Sequence, residues 1–282
     1  MLSWLVDKYL YQANDETSDD MVTSDCNGVS CLFASVRQPR RAIVYIHGSG
    51  MSLASLHESG FAQHIAKMAS CTVIAPELPG FGTRAAEDVG TGADRDNRTC
   101  ESINKVLKYL RRNDVCNVAI VARSLGVGLA LKTLNAYPRS CNNVSCITLI
   151  SGFTSVQDMC RNRAIKPWLP NRLCNTRNIQ SIPANIEVAI VHGTRDEVVP
   201  YEHATMLHSS RDKSQLYAVP NMQHCPTDNE MKHIAQIIAN RVRAVYSLNV
   251  SSIVPTDVRP DAQPAHKPPE AKRIWWHGIC PI

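Results

Sequence analysis

Residues 117–131 read NVAIVARSLGVGLAL, an apolar run of strand length that passes through ARSLG (122–126) straight into small and aliphatic residues with helical spacing. A strand that becomes a helix within so few residues must turn a sharp corner, and the corner residue projects its side chain beyond the sheet. Positions two before and two after that residue crowd the adjacent strand and helix, so they must be small. Ala122 and Gly126 meet that need around Ser124, and Gly128 lets the helix approach its neighbours. Ser124 is therefore the candidate nucleophile, on an A-x-S-x-G corner.

The flanking sequence supplies neighbours for this strand. Short runs rich in Val, Ile and Ala recur at 42–46, 72–75, 145–150, 187–191 and 216–219, of the kind that suits strands covered on both faces. Helical patterns lie between them at 101–112, 125–136 and 201–208. The alternation predicts an α/β fold with a mostly parallel sheet flanked by helices. The best-marked helix starts at Thr227 and Asp228, which offer caps. It carries Glu230 in its first turn and lines up Met231, Ile234, Ile238, Val242 and Val245 on one face. From Asn249 the composition changes, and residues 251–273 hold five prolines and little apolar content. The chain thus reads as an N-terminal segment (1–25), one domain (26–248) and a proline-rich tail (249–282) expected to be disordered. Leu2, Leu5, Tyr9 and Leu10 are expected to pack on the domain, with a membrane-surface helix as the alternative.

A serine hydroxyl attacks well only when a neighbouring base takes its proton, and that base needs an acid to hold its tautomer. On a strand-corner-helix scaffold the chain order is Ser, acid, His. EVAIVHG (187–193) is followed by TRDEVVP, which puts Asp196 just beyond a strand's carboxyl end, where open α/β sheets build their sites. QLYAVP (215–220) runs into NMQHCPTD and delivers His224 to a similar loop; Asp158 is the next acid in line. An oxyanion would need donors fixed before reaction. The backbone N–H of Leu125 is one, and the turn ending AIVYIHGSG (42–50) offers Ser49, with Gly50 as the alternative. His47 reads as a turn residue and His192 as a residue that orders its loop. Cys225 beside His224 comes with no ligand set at metal spacing, so neither a metal nor a cofactor is expected.

Taken in order, HGSG (47–50), PELPGFG (76–82), ARSLG, SGFTSVQDM (151–159), HGTRDEVVPYEHA (192–204) and the late His224 resemble the α/β-hydrolase-domain serine hydrolases over about residues 27–245. The resemblance is strongest to the branch of intracellular protein depalmitoylases and related lipid hydrolases. It implies an α/β-hydrolase fold with Ser124 as nucleophile, Asp196 as acid, His224 as base, and Ser49 and Leu125 as oxyanion donors. It also implies cleavage of an acyl ester or thioester, on a fatty-acyl protein or lipid, through an acyl-enzyme. Met222 and Gln223 stand where such proteins carry small residues before the His, and Ser49 stands where Asn often follows His-Gly. The cysteine-rich, lipid-modified start of the depalmitoylases has no counterpart in MLSWLVDKYLYQ.

Composition narrows the classes. Thirty Lys and Arg against 25 Asp and Glu give +5 over 282 residues, too mild a balance to predict a nucleic-acid partner. No apolar stretch approaches the roughly 20 residues of a membrane span. The first residues lack a cationic n-region, so no cleaved signal is expected and a cytoplasmic location is. The eleven cysteines are scattered without a CxxC pair and read as free thiols; the sequons at Asn97, Asn143 and Asn249 read as silent. CRNRAIKPWLPNRLCNTRNIQSIP (160–183) falls where such enzymes carry a cap over the acyl site, and its shortness predicts an open site. Its Arg161, Arg163, Lys166, Arg172 and Arg177, with Trp168 and Leu169, fit either peripheral contact with an anionic membrane or a solvated surface. Two other functions use the same scaffold: a catalytically silent lipid- or protein-binding module, and a serine peptidase.

Overall fold

The computed structural model describes residues 6–8, 10–12, 14–18, 21, 23–34, 40–87 and 89–250. Eight strands form one sheet: β1 (Thr23–Asp25), β2 (Ser30–Ala34), β3 (Arg41–Ile46), β4 (Thr72–Pro76), β5 (Asn117–Arg123), β6 (Val144–Ile150), β7 (Glu187–Gly193) and β8 (Gln215–Val219). Their spatial order is β1-β2-β4-β3-β5-β6-β7-β8. β2 runs antiparallel to both β1 and β4, and every other pair is parallel. The helices are α1 (Leu53–Glu58), α2 (Phe61–Ala69), α3 (Gly92–Arg112), α4 (Leu125–Ala136), α5 (Asn175–Gln180), α6 (Glu202–Ser209) and α7 (Asp228–Val250).

Strand alternation divides the interior into two layers. Ala42, Val44 and Ile46 of β3 and Val118, Ile120 and Ala122 of β5 face one layer, which α3, α4, α5 and α6 cover. Ile43, Tyr45, Ala119 and Val121 face the other, covered by α1, α2 and α7. Both faces of β3 to β7 are dry, which is why those strands read as unbroken apolar runs, whereas β8, expected at 216–219 to be covered on both faces, buries only Val219. α4 is buried along most of its length, from Leu125 through Leu131, so it carries no polar stripe. α7 opens on a capping box, in which Glu230 N–H donates to Thr227 Oγ1 at 3.4 Å and Thr227 N–H to Glu230 Oε2 at 2.6 Å. Its inner face packs on α2, and the Tyr246 hydroxyl donates to Ala42 O at 3.0 Å.

Three elements differ from expectation. β1 and β2 form an antiparallel edge that the apolar runs did not announce; in β1, Thr23–Asp25 is exposed and polar. α3 begins at Gly92 rather than Glu101, since its polar first turns bury Asp96 and Thr99 instead of aliphatic residues. α7 continues to Val250, through the expected start of the tail at Asn249. Val6 and Tyr11 lie in the core cluster and Leu10 packs against it; Leu2, Leu5 and Tyr9, and the proline-rich tail beyond 250, lie outside the described residues. Among the described residues, no helix is long and apolar enough to cross a membrane.

Candidate active site

β5 sits mid-sheet, between β3 and β6, and only Ser124 separates its last residue, Arg123, from the first residue of α4. Ser124 has φ 50° and ψ −116°, outside the regions open to L-residues. A conformation of this kind costs about 1–3 kcal/mol and persists only where its surroundings over-determine it. Here Ser124 N–H donates to Ile150 O at 2.9 Å, and Ser124 O accepts from Val127 N–H at 2.9 Å. A Cβ on Gly126 would stand 2.3 Å from Ile46 O, so the corner closes against β3 only with glycine at that position. Ala122 is fully buried and pairs with Ile46.

The loops after β7 and β8 meet above this corner. Arg195 N–H donates to Met222 O at 3.1 Å, Thr194 N–H to Val219 O at 3.0 Å, and Asn221 N–H to Thr194 Oγ1 at 2.9 Å. A Cβ on Gly193 would lie 2.1 Å from Met222 O, so the two loops touch backbone to backbone. The bulky Met222 is accommodated by full burial beneath the loop. His224 thereby arrives with Nε2 3.2 Å from Ser124 Oγ and Nδ1 2.8 Å from Asp196 Oδ2. Asp196 Oδ1 accepts from the N–H groups of Val198 and Val199 at 3.0 and 2.7 Å. Burial acts to raise the Asp196 carboxyl, but the His224 hydrogen bond and charge, Val199 N–H and His192 together outweigh it, and the group is held below the usual carboxylate range. With a carboxylate on Nδ1, that nitrogen carries the proton and Nε2 is left with a lone pair toward Ser124. Such a row can move a hydroxyl proton onto the imidazole.

The remaining candidates fall as follows. Leu125 is the first residue of α4, where the N–H has no partner within the helix. The 47–50 turn abuts the corner: a Cβ on Gly48 would lie 3.2 Å from Ser124 Cβ. Gly50 N–H donates to Gln12 O at 3.0 Å, so this alternative donor is engaged elsewhere, while Ser49 Oγ accepts from Gln12 N–H at 3.0 Å. His47 is buried, its Nδ1 2.9 Å from Gly48 O, and burial pulls it down to about 4, which keeps it neutral. His192 Nε2 donates to Val199 O at 2.7 Å and bounds the Asp196 loop. Asp158 belongs to a separate cluster, accepting from Thr154 and Ser155 hydroxyls at 2.9 and 2.7 Å and pairing with Lys166 at 2.8 Å. Cys225 is half-buried and lines a crevice with Met51, Arg123 and Met231. Among the described residues, no group of three or more His, Cys, Asp or Glu side chains could hold a metal.

One basic residue of the 160–183 segment needs correction. Arg172 is buried rather than facing a surface, because its guanidinium forks onto Asp96 at 2.6 and 3.0 Å and pairs with Asp7 at 2.6 Å. Arg161, Arg163 and Arg177 are exposed, as is Trp168 at 76%. Two positions went unread in the sequence. Arg123 Nη2 donates to His224 O at 2.7 Å, and Glu77 of PELPGFG is a fully buried carboxyl 3.7 Å from His47 Nε2. Their signal was position alone: one precedes the candidate nucleophile, the other is an acid inside an apolar-glycine run.

Comparison with known proteins bears on the fold. A hydrolase of Thermoplasma acidophilum described as CIB-like superimposes with a TM-score of 0.58 at 22% identity, over 80% of this chain and 98% of that one. The meta-cleavage product hydrolase of Pseudomonas fluorescens gives 0.60 at 16%, over 81% and 98%. A thermophilic esterase of Thermogutta terrifontis gives 0.56 at 14%, over 80% and 97%. The chain has the α/β-hydrolase fold. In sequence, it is 36% identical over 92 residues to Probable protein phosphatase methylesterase 1 of Caenorhabditis elegans. That match covers 32% of this chain and 24% of the relative, so the chain spans about a quarter of the relative's length. No family model matches. Ser124, Asp196 and His224 all lie just beyond the carboxyl ends of parallel strands, the edge where open α/β sheets bind ligands.

Proposed function

We propose that the chain is a serine hydrolase that cleaves an acyl ester or thioester through Ser124, His224 and Asp196. The observation that carries this reading is the unbroken row from Ser124 Oγ to His224 Nε2 at 3.2 Å and from His224 Nδ1 to Asp196 at 2.8 Å, set on a strained corner residue. Ser124 Oγ attacks the carbonyl carbon while its proton passes to His224 Nε2, and Asp196 stabilises the imidazolium. The Leu125 and Ser49 N–H groups receive the charge on the carbonyl oxygen. His224 returns the proton to the departing alkoxide or thiolate, and water repeats the sequence to release the acid.

For substrate, the reading is a fatty-acyl chain on a protein or lipid, reached by peripheral contact with a membrane. Support comes from Trp168 and Ile165, 76% and 49% exposed on one turn beside exposed Arg161 and Arg163. An aromatic side chain with cationic neighbours suits an anionic interface. A second reading, a small-ester hydrolase, is favoured by the methylesterase name of the matched relative.

A p-nitrophenyl ester series from acetyl to palmitoyl, kept below micelle concentrations, separates these readings. Each methylene buried in an apolar site contributes about 0.8 kcal/mol, or roughly fourfold. kcat/KM should therefore climb with chain length until the site is full. A series that falls beyond acetyl moves the assignment to small esters, and no turnover at all moves it to the silent binding module.

A further inference from the structure

The turn that carries Ser49 is held by a segment some 37 residues upstream in the chain. Gln12 N–H donates to Ser49 Oγ at 3.0 Å, Gly50 N–H to Gln12 O at 3.0 Å, and Asn14 Nδ2 to Gly50 O at 3.2 Å. Asn14 O in turn accepts from Gly82 N–H at 2.6 Å. Besides burying Val6 and Tyr11, the segment engages the side chain of one turn residue and both backbone groups of the next.

The same segment is fastened at its start. Asp7 pairs with Arg172 Nη1 at 2.6 Å and its second oxygen accepts from Gly92 N–H at 2.5 Å. The Tyr11 hydroxyl donates to Asp96 Oδ1 at 2.7 Å, and the Arg95 guanidinium lies 4.2 Å from the centre of the Tyr11 ring. Asp7, Tyr11, Asp96 and Arg172 are all buried, so each charge among them depends on its partners. Strung between this anchor and Gly82, Gln12 and Asn14 have little freedom to move.

We propose that Asp7, Tyr11, Gln12 and Asn14 belong to a strap that fixes the 47–50 turn, so that Gln12 and Asn14 are positioning residues for the oxyanion donor. The proposal rests on the hydrolase reading of Ser124 and on Ser49 as donor. The physical need is plain: Ser49 lies between two glycines, and a donor stabilises developing charge only if it is aimed before reaction. The turn touches the corner, since a Cβ on Gly48 would sit 3.2 Å from Ser124 Cβ, so a small shift of the turn is a shift at the reacting carbonyl.

The test uses the full chain. Asn14→Asp removes the donor to Gly50 O at constant size, and Ser49→Ala removes the acceptor for Gln12 N–H while leaving the Ser49 backbone N–H in place. Losing an oxyanion donor outright costs roughly 10²–10³ in kcat, so loosening one should cost each variant about 5–30-fold in kcat with KM within about twofold. Phosphonylation by a fluorophosphonate should slow in step, and Ser49→Thr, which keeps the hydroxyl, should recover most of the rate. Independently of activity, hydrogen exchange at the Gly50 amide should accelerate in Asn14→Asp and Ser49→Ala. Unchanged kcat in both variants together with unchanged Gly50 exchange overturns the strap. Faster Gly50 exchange in a protein whose Ser124 never reacts keeps the strap as holder of the turn and overturns the hydrolase reading alone.

Discussion

Arg123 donates from Nη2 to the carbonyl oxygen of His224 at 2.7 Å, so the residue before the candidate nucleophile holds the backbone of the candidate base. The opposite side of His224 is held too, its N–H donating to Glu197 Oε2 at 3.4 Å. This fixes a loop whose Met222 and Gln223 departed from the small residues anticipated there. Arg123→Met keeps much of the side-chain volume and removes the donor. It should lower kcat by about tenfold with little change in KM, because the imidazole is misplaced rather than lost. Steady-state kinetics on a soluble ester decide the point, and a change under twofold would count against the contact.

Asp196→Asn should leave the fold intact and reduce kcat by roughly 10⁴-fold, the scale of loss when a triad acid is neutralised and the imidazole takes the wrong tautomer. Asp158→Asn should cost far less, since Asp158 is bound to Thr154, Ser155 and Lys166. Parallel kinetics on the two variants distinguish them; the reverse ranking would make Asp158 the acid.

Glu77 gives a pH dependence of stability. Burial raises its carboxyl to about 7, against the lowering effect of the Leu53 and Thr83 N–H groups and Arg84. Its folded pKa lies above the ordinary 4.5, so the folded protein binds the extra proton between those values and Glu77 destabilises increasingly as pH rises from about 4.5 to 7. His47, drawn down to about 4, contributes in the opposite sense below its ordinary 6.5, and the burial that chiefly causes this is kept in Glu77→Gln. Glu77→Gln keeps an acceptor for Leu53 and cannot ionise. Relative to wild type, it should gain about 2–3 kcal/mol between pH 5 and pH 8 in urea unfolding. A difference independent of pH would mean that Glu77 titrates normally.

Arg172→Met removes the guanidinium shared by buried Asp7 and Asp96, leaving Asp96 only the Lys132 ammonium at 3.7 Å, and should cost about 3–5 kcal/mol in the same assay. Arg163→Met, at an exposed position of the same segment, should stay within about 0.5 kcal/mol. Equal effects at the two sites would refute the anchoring role of Arg172.

These contrasts show what the sequence could and could not say. Six parallel strands, from β3 to β8, were legible, β3 to β7 because strands dry on both faces are written as unbroken runs such as Ala119–Ala122, and β8 from the run 216–219 although it is only partly covered. The corner at Ser124 was legible because Ala122 and Gly126 are forced by contact. β1 was not, because an exposed three-residue edge of Thr, Ser and Asp has no apolar signature. The first turns of α3 were hidden for the converse reason: what they bury is Asp96, and its partners are 76 and 85 residues away in the chain, at Arg172 and Tyr11. Arg172 therefore read as a surface charge. The meeting of Ser124, Asp196 and His224 could be anticipated from strand ends, whereas the Arg123 contact depends on a side-chain direction that no spacing encodes.

The most direct measurement is intact mass after treatment with a fluorophosphonate, on the wild type beside Ser124→Ala. The account predicts a single adduct on the wild type, located by peptide mapping at Ser124, and none on the variant, with ester hydrolysis lost in parallel. A wild type that stays unlabelled, or a variant that labels equally at another serine, would contradict it.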